Sequence, residues 1–229
     1  MSRLSKLVRR ALGRVPEFSH QSALRRIKAA DIAISSIYDI GAYHGRWTDD
    51  AEAVFPDASF VLFEANHDHG AMLNAKSRRW FNVALGSDDH QRREFFVPEL
   101  ISTSGASFYR DPTPNQARRS LTTVKLDTVV TRESLPLPDL IKLDVQGSEI
   151  DVLGGAPRCL EQCQIIIAET SFAGCNNGAP IAADVISWLR QRGFSCVDIA
   201  ETHRCDRSHN LIEVDFVFAA KTAFEKLRA

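Results

Sequence analysis

The stretch Tyr38–Thr48, YDIGAYHGRWT, follows the apolar run ISSI and decides which fold the rest of the sequence is expected to adopt. It predicts a buried strand that ends in an acid and two glycines and is followed at once by a helix. Glycine suits a backbone that adopts a positive φ or passes close to a bulky group, and a strand, a glycine turn and a helix commonly hold nucleotide-like ligands. A tight connection that binds nothing has the same local sequence, so the remaining chain must distinguish the two.

Length and composition indicate one globular α/β domain. The chain has 229 residues, of which 44% are hydrophobic and 25% are charged. This length can bury a central sheet but is too short for two full-sized domains. We place an N-terminal helical extension at residues 1–34 and the main α/β domain at residues 35–229. The net charge of −1 argues against a nucleic-acid partner, and no feature of the sequence indicates an oligomeric state.

The N-terminal segment at residues 3–15 alternates Arg and Lys with apolar residues at helical spacing and predicts a basic amphipathic helix. Such a helix can make a peripheral contact with an anionic membrane, or it can dock on the domain with its basic face in water, which we favour. The segment lacks the apolar core of a signal peptide, and no later run approaches the roughly 18 apolar residues that span a bilayer. We therefore expect a cytoplasmic protein.

The cysteines and histidines match no common metal motif. The five cysteines are odd in number and contain no C-x-x-C pair, which predicts free thiols. The segment His203–His209, HRCDRSH, could supply three metal ligands, but its spacing differs from the usual zinc patterns. We interpret it as a solvated polar loop.

Hydrophobic periodicity predicts alternating helices and strands in the first half of the chain. Helices are predicted at residues 23–30, 48–54 and 71–76, and strands at residues 34–40, 59–63 and 80–85, with Thr48 as the N-cap of the second helix. This β-α-β-α-β order is typical of a parallel, doubly wound sheet with right-handed crossovers.

The second half departs from simple alternation. Extra strands are predicted at residues 93–97 and 122–129, on either side of a polar loop at residues 101–109 that we expect to contact substrate. Regular structure then resumes with strands at residues 140–143 and 165–168, helices at residues 150–153 and 181–191, and an antiparallel pair of strands at residues 195–199 and 213–218.

Four predicted strands end in an acid: Asp39, Glu64, Asp144 and Glu169. The carboxyl ends of parallel strands meet at one edge of a sheet, where open α/β folds bind their ligands. Four acids on one edge indicate a shared function more strongly than any one of them does alone.

Glu64 and the glycine turn together indicate the ligand. Glu64 lies 23 positions after Gly41, near the offset of about 20 residues at which an acid reaches ribose hydroxyls. NAD and S-adenosylmethionine both carry such a diol. The turn reads D-x-G-A-x-x-G rather than G-x-G-x-x-G, and the carboxylate of Asp39 would repel a pyrophosphate. The pattern therefore favours S-adenosylmethionine.

Five stretches within residues 37–173 carry a resemblance to a known family. YDIGAYHG, VLFEANHD, NVALGSDD, IKLDVQGSEIDVLGGA and IIIAETSF are similar to the FkbM family of S-adenosylmethionine-dependent methyltransferases. The resemblance implies an α/β, Rossmann-like class I methyltransferase fold: a seven-stranded, mostly parallel sheet with a C-terminal antiparallel hairpin, preceded here by N-terminal helices. It also implies methyl transfer to a hydroxyl of a saccharide, glycolipid or natural product.

The resemblance further implies that the first three strand ends bind the cofactor. Gly41, Ala42 and Gly45 let the backbone approach the cofactor, and Asp39 and Tyr43 lie at its amino acid moiety. Glu64 binds the ribose diol, and the adenine lies beside Ala65, Asn66, Val83 and Ala84. Tyr43 stands where such motifs commonly have Asn.

Asp144, Glu169 and Lys142 are the candidate catalytic residues. Methyl transfer to an alcohol requires in-line positioning of the oxygen and loss of its proton, and Asp144, which also borders the cofactor, is our first candidate for both tasks. Asp144 and Glu169 could instead chelate a divalent cation, although we favour metal-independent chemistry. Lys142 lies inside an apolar strand, where burial requires a partner such as Glu169, and its role is structural or catalytic.

Two other accounts stay open. A protein of the same fold could be a non-catalytic scaffold that binds the cofactor, although the retained acids and Lys142 argue against it. An NAD-dependent oxidoreductase fits the first two strands, but the chain has no evident Tyr-x-x-x-Lys pair. The expected acceptor is a small molecule or glycan, bound by the loops at residues 101–120 and 172–180, where Phe108, Tyr109 and Phe172 supply aromatic faces.

Overall fold

The computed structural model describes residues 18–76, 78–99, 105–111, 115–172 and 176–228. The strands are β1 Ser36–Ile40, β2 Ser59–Glu64, β3 Arg79–Asn82, β4 Ala84–Leu85, β5 Arg92–Pro98, β6 Gln116–Val124, β7 Leu140–Leu143, β8 Ile165–Ser171, β9 Phe194–Arg204 and β10 Leu211–Ala220. The helices are α1 His20–Ala29, α2 Arg46–Val54, α3 Gly70–Asn74, α4 Leu126–Arg132, α5 Glu149–Gly154, α6 Pro157–Gln162, α7 Ala182–Gln191 and α8 Lys221–Arg228, with a short 3-10 helix at His67–His69.

A seven-stranded sheet in the order β3-β2-β1-β7-β8-β10-β9 forms the centre of the described chain. β3, β2, β1, β7 and β8 pair in parallel, whereas β10 runs antiparallel to both β8 and β9. The predicted fold class is therefore confirmed, including the C-terminal antiparallel hairpin. The strand order reverses between β1 and β7, and the carboxyl ends of these two strands frame the crevice in which open α/β sheets bind ligands.

Helices cover both faces of this sheet, which explains the continuous apolar runs of its central strands. Ile141 and Ile166 lie in a core cluster with residues of α4, α5, α6 and α7. Ile37 and Ile165 lie on the opposite face, in a cluster with residues of α1, α2 and α8. Parallel strands that are buried on both faces lose the alternation of apolar and polar residues, as β7 and β8 do here.

Helix α1 belongs to the predicted N-terminal extension and packs on the sheet through Ala23, Leu24 and Ile27. The basic helix predicted at residues 3–15 lies outside the described residues, and the domain boundary after residue 34 and the cytoplasmic location stay predictions. None of the helices in the described part of the chain is long and apolar enough to cross a membrane.

A second, three-stranded sheet in the order β4-β6-β5 corrects two predictions. The predicted strand at residues 80–85 is two strands, because β3 joins the main sheet while β4 pairs with β6. The predicted strand at residues 122–129 is wrong in its second half, since β6 ends and helix α4 follows, burying Leu126, Val129 and Val130. Their i, i+3, i+4 spacing is helical, but the β-branched run TVVT favours a strand by propensity and obscures it.

Helix α2 begins three residues earlier than an N-cap at Thr48 would place it. Gly45, with a φ of 68°, occupies the cap position, and the helix starts at Arg46. Thr48 is fully buried, and its hydroxyl donates to Asp39 Oδ2 at 2.6 Å. The hydroxyl therefore binds a buried carboxylate and does not cap the helix. Cys159, Cys163, Cys196 and Cys205 are free thiols, as predicted, and Cys175 lies outside the described residues.

Candidate active site

The turn after β1 is shaped by the close approach of β7. Gly41 has a φ of 77°, and a Cβ on it would lie 1.9 Å from the carbonyl oxygen of Asp144. Only glycine fits both this conformation and this space. The N–H groups of Gly41 and Ala42 donate to the carbonyl oxygen of Phe63, at 2.9 and 3.1 Å, which ties the turn to β2. The ends of three strands therefore meet at Gly41.

Glu64 ends β2 beside this turn, and backbone N–H groups hold its carboxylate. Tyr43 N donates to Oε2 at 2.8 Å, and Asn66 N donates to Oε1 at 2.7 Å. Tyr43 has a φ of 49°, and its ring stacks on His44 with 3.7 Å between the centroids. Burial raises the pKa of Glu64 to about 7, although the two N–H groups favour the ionised form. A hydrogen-bond acceptor is thus fixed at the edge of the sheet, and its ionisation falls near neutral pH.

A cleft with about 730 Å³ of empty space, counting its open mouth, lies over this edge of the sheet. The predicted cofactor residues that line it are Gly41, Tyr43, Glu64, Ala65, Val83 and Asp144. The others are not among the lining residues. Asp39 binds Thr48, Ala42 packs on Leu62, Gly45 precedes α2, Asn66 donates to Glu64 and Ala84 begins β4. For this second group, direct contact with a cofactor stays a prediction.

An apolar wall of the cleft was missed by the sequence analysis. Leu85, Phe95, Ala106 and Phe108 line it. The Phe95 and Phe108 rings lie edge to face with 5.3 Å between their centroids, and the guanidinium of Arg93 lies 4.5 Å from the Phe108 centroid. Phe108, predicted to contact the acceptor, therefore shares a cleft with Glu64. The apolar residues of β5 were the available signal, but their sequence does not specify which cleft they face.

The aromatic residues that were predicted to bind the acceptor pack against different neighbours. Tyr109 lies against Gly147, and Phe172, which is 47% exposed, packs on Phe216. Ser107 holds the loop that carries Tyr109, because its hydroxyl donates to the carbonyl of Gln146 at 2.7 Å. This loop is thereby fixed to the exit of β7, next to the cleft.

Lys142, buried in β7, offsets the negative charge of the acids at the exits of β1 and β7. Its Nζ lies 3.0 Å from Asp144 Oδ2 and 3.9 Å from Asp39 Oδ1. Its partners are thus these two acids and not Glu169, because the register of β7 and β8 sets Lys142 beside Ile167. Burial raises the pKa of the fully buried Asp39, even though Lys142 favours the carboxylate.

The amide of Gln146 joins Asp144 and Glu169. Its Nε2 donates to Asp144 Oδ1 at 3.1 Å and also to Glu169 Oε2. Burial alone would raise the pKa of Asp144, but the charge of Lys142 and the hydrogen bonds to the carboxylate together lower that pKa to about 2. Burial and the charge of Asp144 raise the pKa of Glu169 well above its usual range. The pKa of Glu169 therefore lies above that of Asp144, and groups whose pKa values are separated in this way take different roles.

Gln146 also bears on the alternative in which Asp144 and Glu169 chelate a cation. One oxygen of each carboxylate already accepts a hydrogen bond from the same amide nitrogen. Within the described residues, two groups of metal-ligating side chains come close together, and Asp144 belongs to neither. Chelation by this pair alone therefore gains no support.

A second polar cluster lies beside Glu169, at the ends of β9 and β10. His20 of α1 faces Asp215 Oδ2 at 2.6 Å and Glu201 Oε2 at 3.2 Å through its Nε2, and its Nδ1 lies 3.0 Å from Trp47 Nε1. An indole N–H can only donate, so Nδ1 accepts and the ring proton lies on Nε2. Burial opposes a charge on His20, but the hydrogen bonds from its Nε2 to Asp215 and Glu201 raise its pKa.

His203, predicted to lie in a solvated loop, extends β9 into this cluster. Its Nε2 lies 3.7 Å from Glu169 Oε1 and 4.0 Å from Asp215 Oδ1. The loop prediction is wrong at this position because β9 continues to Arg204. The pairing of β10 with β8 and with β9 brings the three side chains together, and the local sequence of HRCDRSH carries no signal of it.

Several solved structures are similar to this chain at low sequence identity. Precorrin-6y C5,15-methyltransferase from Geobacter metallireducens GS-15 is 10% identical, with 88% of each chain covered and a TM-score of 0.48. The N-terminal domain of EvdMO1, solved in the presence of S-adenosylhomocysteine and D-fucose, is 12% identical over 96% of this chain and 98% of that one, with a TM-score of 0.48. The 1,6-didemethyltoxoflavin-N1-methyltransferase of Burkholderia thailandensis, solved with 1,6-didemethyltoxoflavin and S-adenosylhomocysteine, is 12% identical over 95% of this chain and 86% of that one, with a TM-score of 0.45.

The family follows from the sequence. No curated protein sequence matches the chain. The family model of the methyltransferase FkbM domain matches residues 39–196, which is more than half of the chain and includes Glu64, Asp144 and Glu169. His20 and Asp215 lie outside the match. The chain therefore belongs to the FkbM methyltransferase domain family.

Proposed function

We propose that the chain is an S-adenosylmethionine-dependent O-methyltransferase whose acceptor is a hydroxyl of a saccharide, glycolipid or other natural product. The observation that carries this proposal is Glu64, a buried carboxylate that two backbone N–H groups hold in the wall of a cleft beside Gly41. A carboxylate in this position can accept both hydrogen bonds of a ribose diol. Membership of a methyltransferase family supports the type of reaction.

The cleft fits S-adenosylmethionine in its polar and in its apolar parts. We assign the ribose hydroxyls to Glu64 and the amino acid moiety to the turn at Gly41 and Tyr43. We assign the adenine to the apolar side of the cleft, where Val83 and Phe108 are among the lining residues. A mostly apolar wall with a few placed polar groups is typical of cofactor sites.

Asp144 lines the same cleft, and we assign it to the acceptor hydroxyl. When bound, S-adenosylmethionine supplies an electrophilic methyl group. The Asp144 carboxylate, kept ionised by Lys142, accepts the hydrogen bond of the hydroxyl and holds its oxygen for in-line attack. The hydroxyl proton becomes strongly acidic as the new O–CH3 bond forms, so even a carboxylate of low pKa takes it up. Gln146, which also donates to Glu169, fixes the orientation of the Asp144 carboxylate.

A small recess beside Gln146 and Glu169 supports recognition of an acceptor hydroxyl. Its lining is mostly polar and includes Gln146, Glu169, Thr170, Ser171, Asn176 and Glu213. These side chains donate and accept hydrogen bonds, as recognition of a hydroxyl requires. The carboxylates also favour an oxygen acceptor over an amine, because they stabilise the protonated form of an amine, which is not a nucleophile.

Isothermal titration calorimetry with S-adenosylhomocysteine tests the cofactor assignment. We expect micromolar or tighter binding, weakened by about 2 kcal/mol, or about thirty-fold, in Glu64→Ala, since a hydrogen-bonded pair with a charged group is lost. Glu161→Ala, which removes an exposed carboxylate on α6, serves as the matched control and should bind as the wild type does. A folded wild-type protein that binds no S-adenosylhomocysteine would refute the assignment.

A transfer assay tests the reaction. The protein is incubated with S-adenosylmethionine carrying an isotope-labelled methyl group and a panel of saccharides, glycolipids and polyketide glycosides, and NMR identifies the atom that receives the label. We expect label on oxygen, with turnover lost by at least a hundredfold in Asp144→Asn. Label on nitrogen or carbon would contradict O-methylation. Cofactor binding with no transfer to any acceptor would favour the non-catalytic scaffold.

A further inference from the structure

We propose that Glu169, His203 and Asp215 bind a divalent transition-metal ion, such as Mn²⁺ or Zn²⁺, beside the acceptor side of the cleft. The three residues come from β8, β9 and β10, which are neighbours in the sheet. His203 and Asp215 lie beyond the region that the family model matches, so this site is a feature of the C-terminal hairpin of this chain.

The three ligand atoms lie at the separations that one ion requires. His203 Nε2 is 3.7 Å from Glu169 Oε1 and 4.0 Å from Asp215 Oδ1, and the three atoms all lie within 4.8 Å of one another. Atoms bonded to one ion at about 2.0–2.2 Å lie at most about 4.4 Å apart. A shift of a few tenths of an ångström in each side chain therefore brings all three atoms to bonding distance. Two carboxylate oxygens and one imidazole nitrogen are ligands that Mn²⁺ and Zn²⁺ accept.

Each carboxylate is already oriented through the oxygen that faces away from the proposed ion. Glu169 Oε2 accepts from Gln146, which leaves Oε1 facing His203. Asp215 Oδ2 faces His20 Nε2, which leaves Oδ1 directed at His203. Donors that fix the second atom of a ligand are the usual outer shell of metal sites in proteins. The arrangement therefore supplies the ligands and their supports together.

Asp215 Oδ1 is the observation that points to a missing ligand. The side chain of Asp215 is 5% exposed, and this oxygen is buried without a hydrogen-bond partner. A buried carboxylate oxygen without a partner is costly, and a cation in front of it removes the cost. His203 is 39% exposed, so solvent reaches the proposed ion from one side and leaves coordination positions open.

The local charge also favours a cation. Glu169 interacts electrostatically with three further carboxylates, those of Asp144, Asp215 and Glu213. Lys142, the buried cation of β7, is already shared between Asp144 and Asp39. Like charges at these separations repel strongly in a low-dielectric environment, and a dication offsets that repulsion.

The neighbouring group of His20, Glu201 and Asp215 has similar ligand types but is not the site. Trp47 donates to His20 Nδ1, so the nitrogen that faces Asp215 carries the ring proton and has no lone pair for a metal. His20 therefore acts as a donor that orients Asp215.

The inference deepens the proposed function and rests on it for its role in catalysis. An ion at this position would bind the acceptor oxygen beside Asp144 and lower the pKa of the hydroxyl. Metal binding itself is measurable without any cofactor or acceptor, so it can be tested separately from methyl transfer.

The test is a Mn²⁺ titration of the full chain after treatment with a chelator. Binding is measured by the loss of the EPR signal of free Mn²⁺. We expect one bound Mn²⁺ per chain in the wild type and at least tenfold weaker binding in His203→Asn. His203 lies on an edge strand and is partly exposed, so this variant should fold. His209→Asn is the matched control, because His209 is exposed, outside the cluster and at a φ of 57° that Asn tolerates, and its affinity should stay within twofold of the wild type.

Three results would overturn the inference. The first is a wild-type protein that binds neither Mn²⁺ nor Zn²⁺ at millimolar concentration. The second is unchanged Mn²⁺ affinity in His203→Asn. The third is a tenfold loss in Asp144→Asn without a loss in His203→Asn, which would move the ion to the Asp144 and Glu169 pair. Calorimetry with S-adenosylhomocysteine on the chelator-treated protein runs in parallel, so that a failure of the proposed function is seen separately from a failure of the metal site.

Discussion

The ionisation of Glu64 should control cofactor binding between pH 6 and pH 8. Burial raises its pKa to about 7 in the free protein. Ribose hydroxyls donate hydrogen bonds, so they select the ionised carboxylate, and the protonated form must lose its proton before it can accept both bonds. Because the pKa is raised, the ionised fraction falls as the pH drops through 7, and binding should weaken on the acid side.

The expected magnitude follows from that pKa. At pH 8 about nine-tenths of the protein has an ionised Glu64, and at pH 6 about one-tenth does. The dissociation constant should therefore rise by about tenfold from pH 8 to pH 6, which is about 1.4 kcal/mol of binding free energy. A glutamate with the ordinary pKa near 4.3 would be ionised at both values and would give no change.

Calorimetric titrations with S-adenosylhomocysteine and with adenosine at pH 6, 7 and 8 measure this dependence. Adenosine lacks the amino acid moiety, so a slope shared by both ligands belongs to the ribose or adenine end. Burial also raises the pKa of Glu149, which follows the lining residue Ser148, to about 7, so Glu149 is a second candidate for the slope. Glu64→Gln separates them, because this variant should bind more weakly at pH 8 and show a flat profile.

Two outcomes would refute this reasoning. Equal wild-type affinity at pH 6 and pH 8 would mean that binding does not select the carboxylate. A slope that persists in Glu64→Gln would assign the titration to another group, such as Glu149.

Three further substitutions test the structure around the cleft. Lys142→Met should destabilise the fold by about 3–5 kcal/mol in urea denaturation, because it leaves Asp39 buried without its cation. Adding Asp39→Asn should restore part of that stability. A cost below about 1 kcal/mol for Lys142→Met would contradict the ion pair. Gly41→Ala should lower the free energy of unfolding by about 2–4 kcal/mol and weaken S-adenosylhomocysteine binding, because the new Cβ would lie 1.9 Å from the Asp144 carbonyl oxygen. Wild-type stability in this variant would contradict that contact. Phe108→Ala should weaken S-adenosylhomocysteine binding by about tenfold through loss of apolar contact, and unchanged affinity would place the adenine elsewhere.

Features that depend on neighbours in sequence could be predicted from the sequence. The apolar runs of β7 and β8 are long enough to indicate strands buried on both faces, and the structure has them there. Gly41 and Glu64 were identified because a glycine turn and an acid at a strand end each have a local physical reason. In α4 two local signals conflicted, because the apolar spacing is helical while the β-branched run favours a strand, and the predicted strand was wrong.

Features that depend on strand register could not be predicted. Lys142 faces Asp39 and Asp144 rather than Glu169 because of the pairing between β7 and its neighbours, which no local pattern encodes. His203 reaches Glu169 and Asp215 only through the β9–β10 hairpin. Such contacts join residues far apart in the chain, so their chemistry appears only when the sheet is assembled.

The central claim is that Glu64 binds the ribose of S-adenosylmethionine and that Asp144 faces the transferred methyl group. A crystal structure of the full chain with S-adenosylhomocysteine tests it most directly. The account predicts both ribose hydroxyls within hydrogen-bond distance of the Glu64 carboxylate and the sulfur atom on the side of the cleft that Asp144 lines. A bound ligand whose ribose does not touch Glu64, or whose sulfur faces away from Asp144, would contradict it.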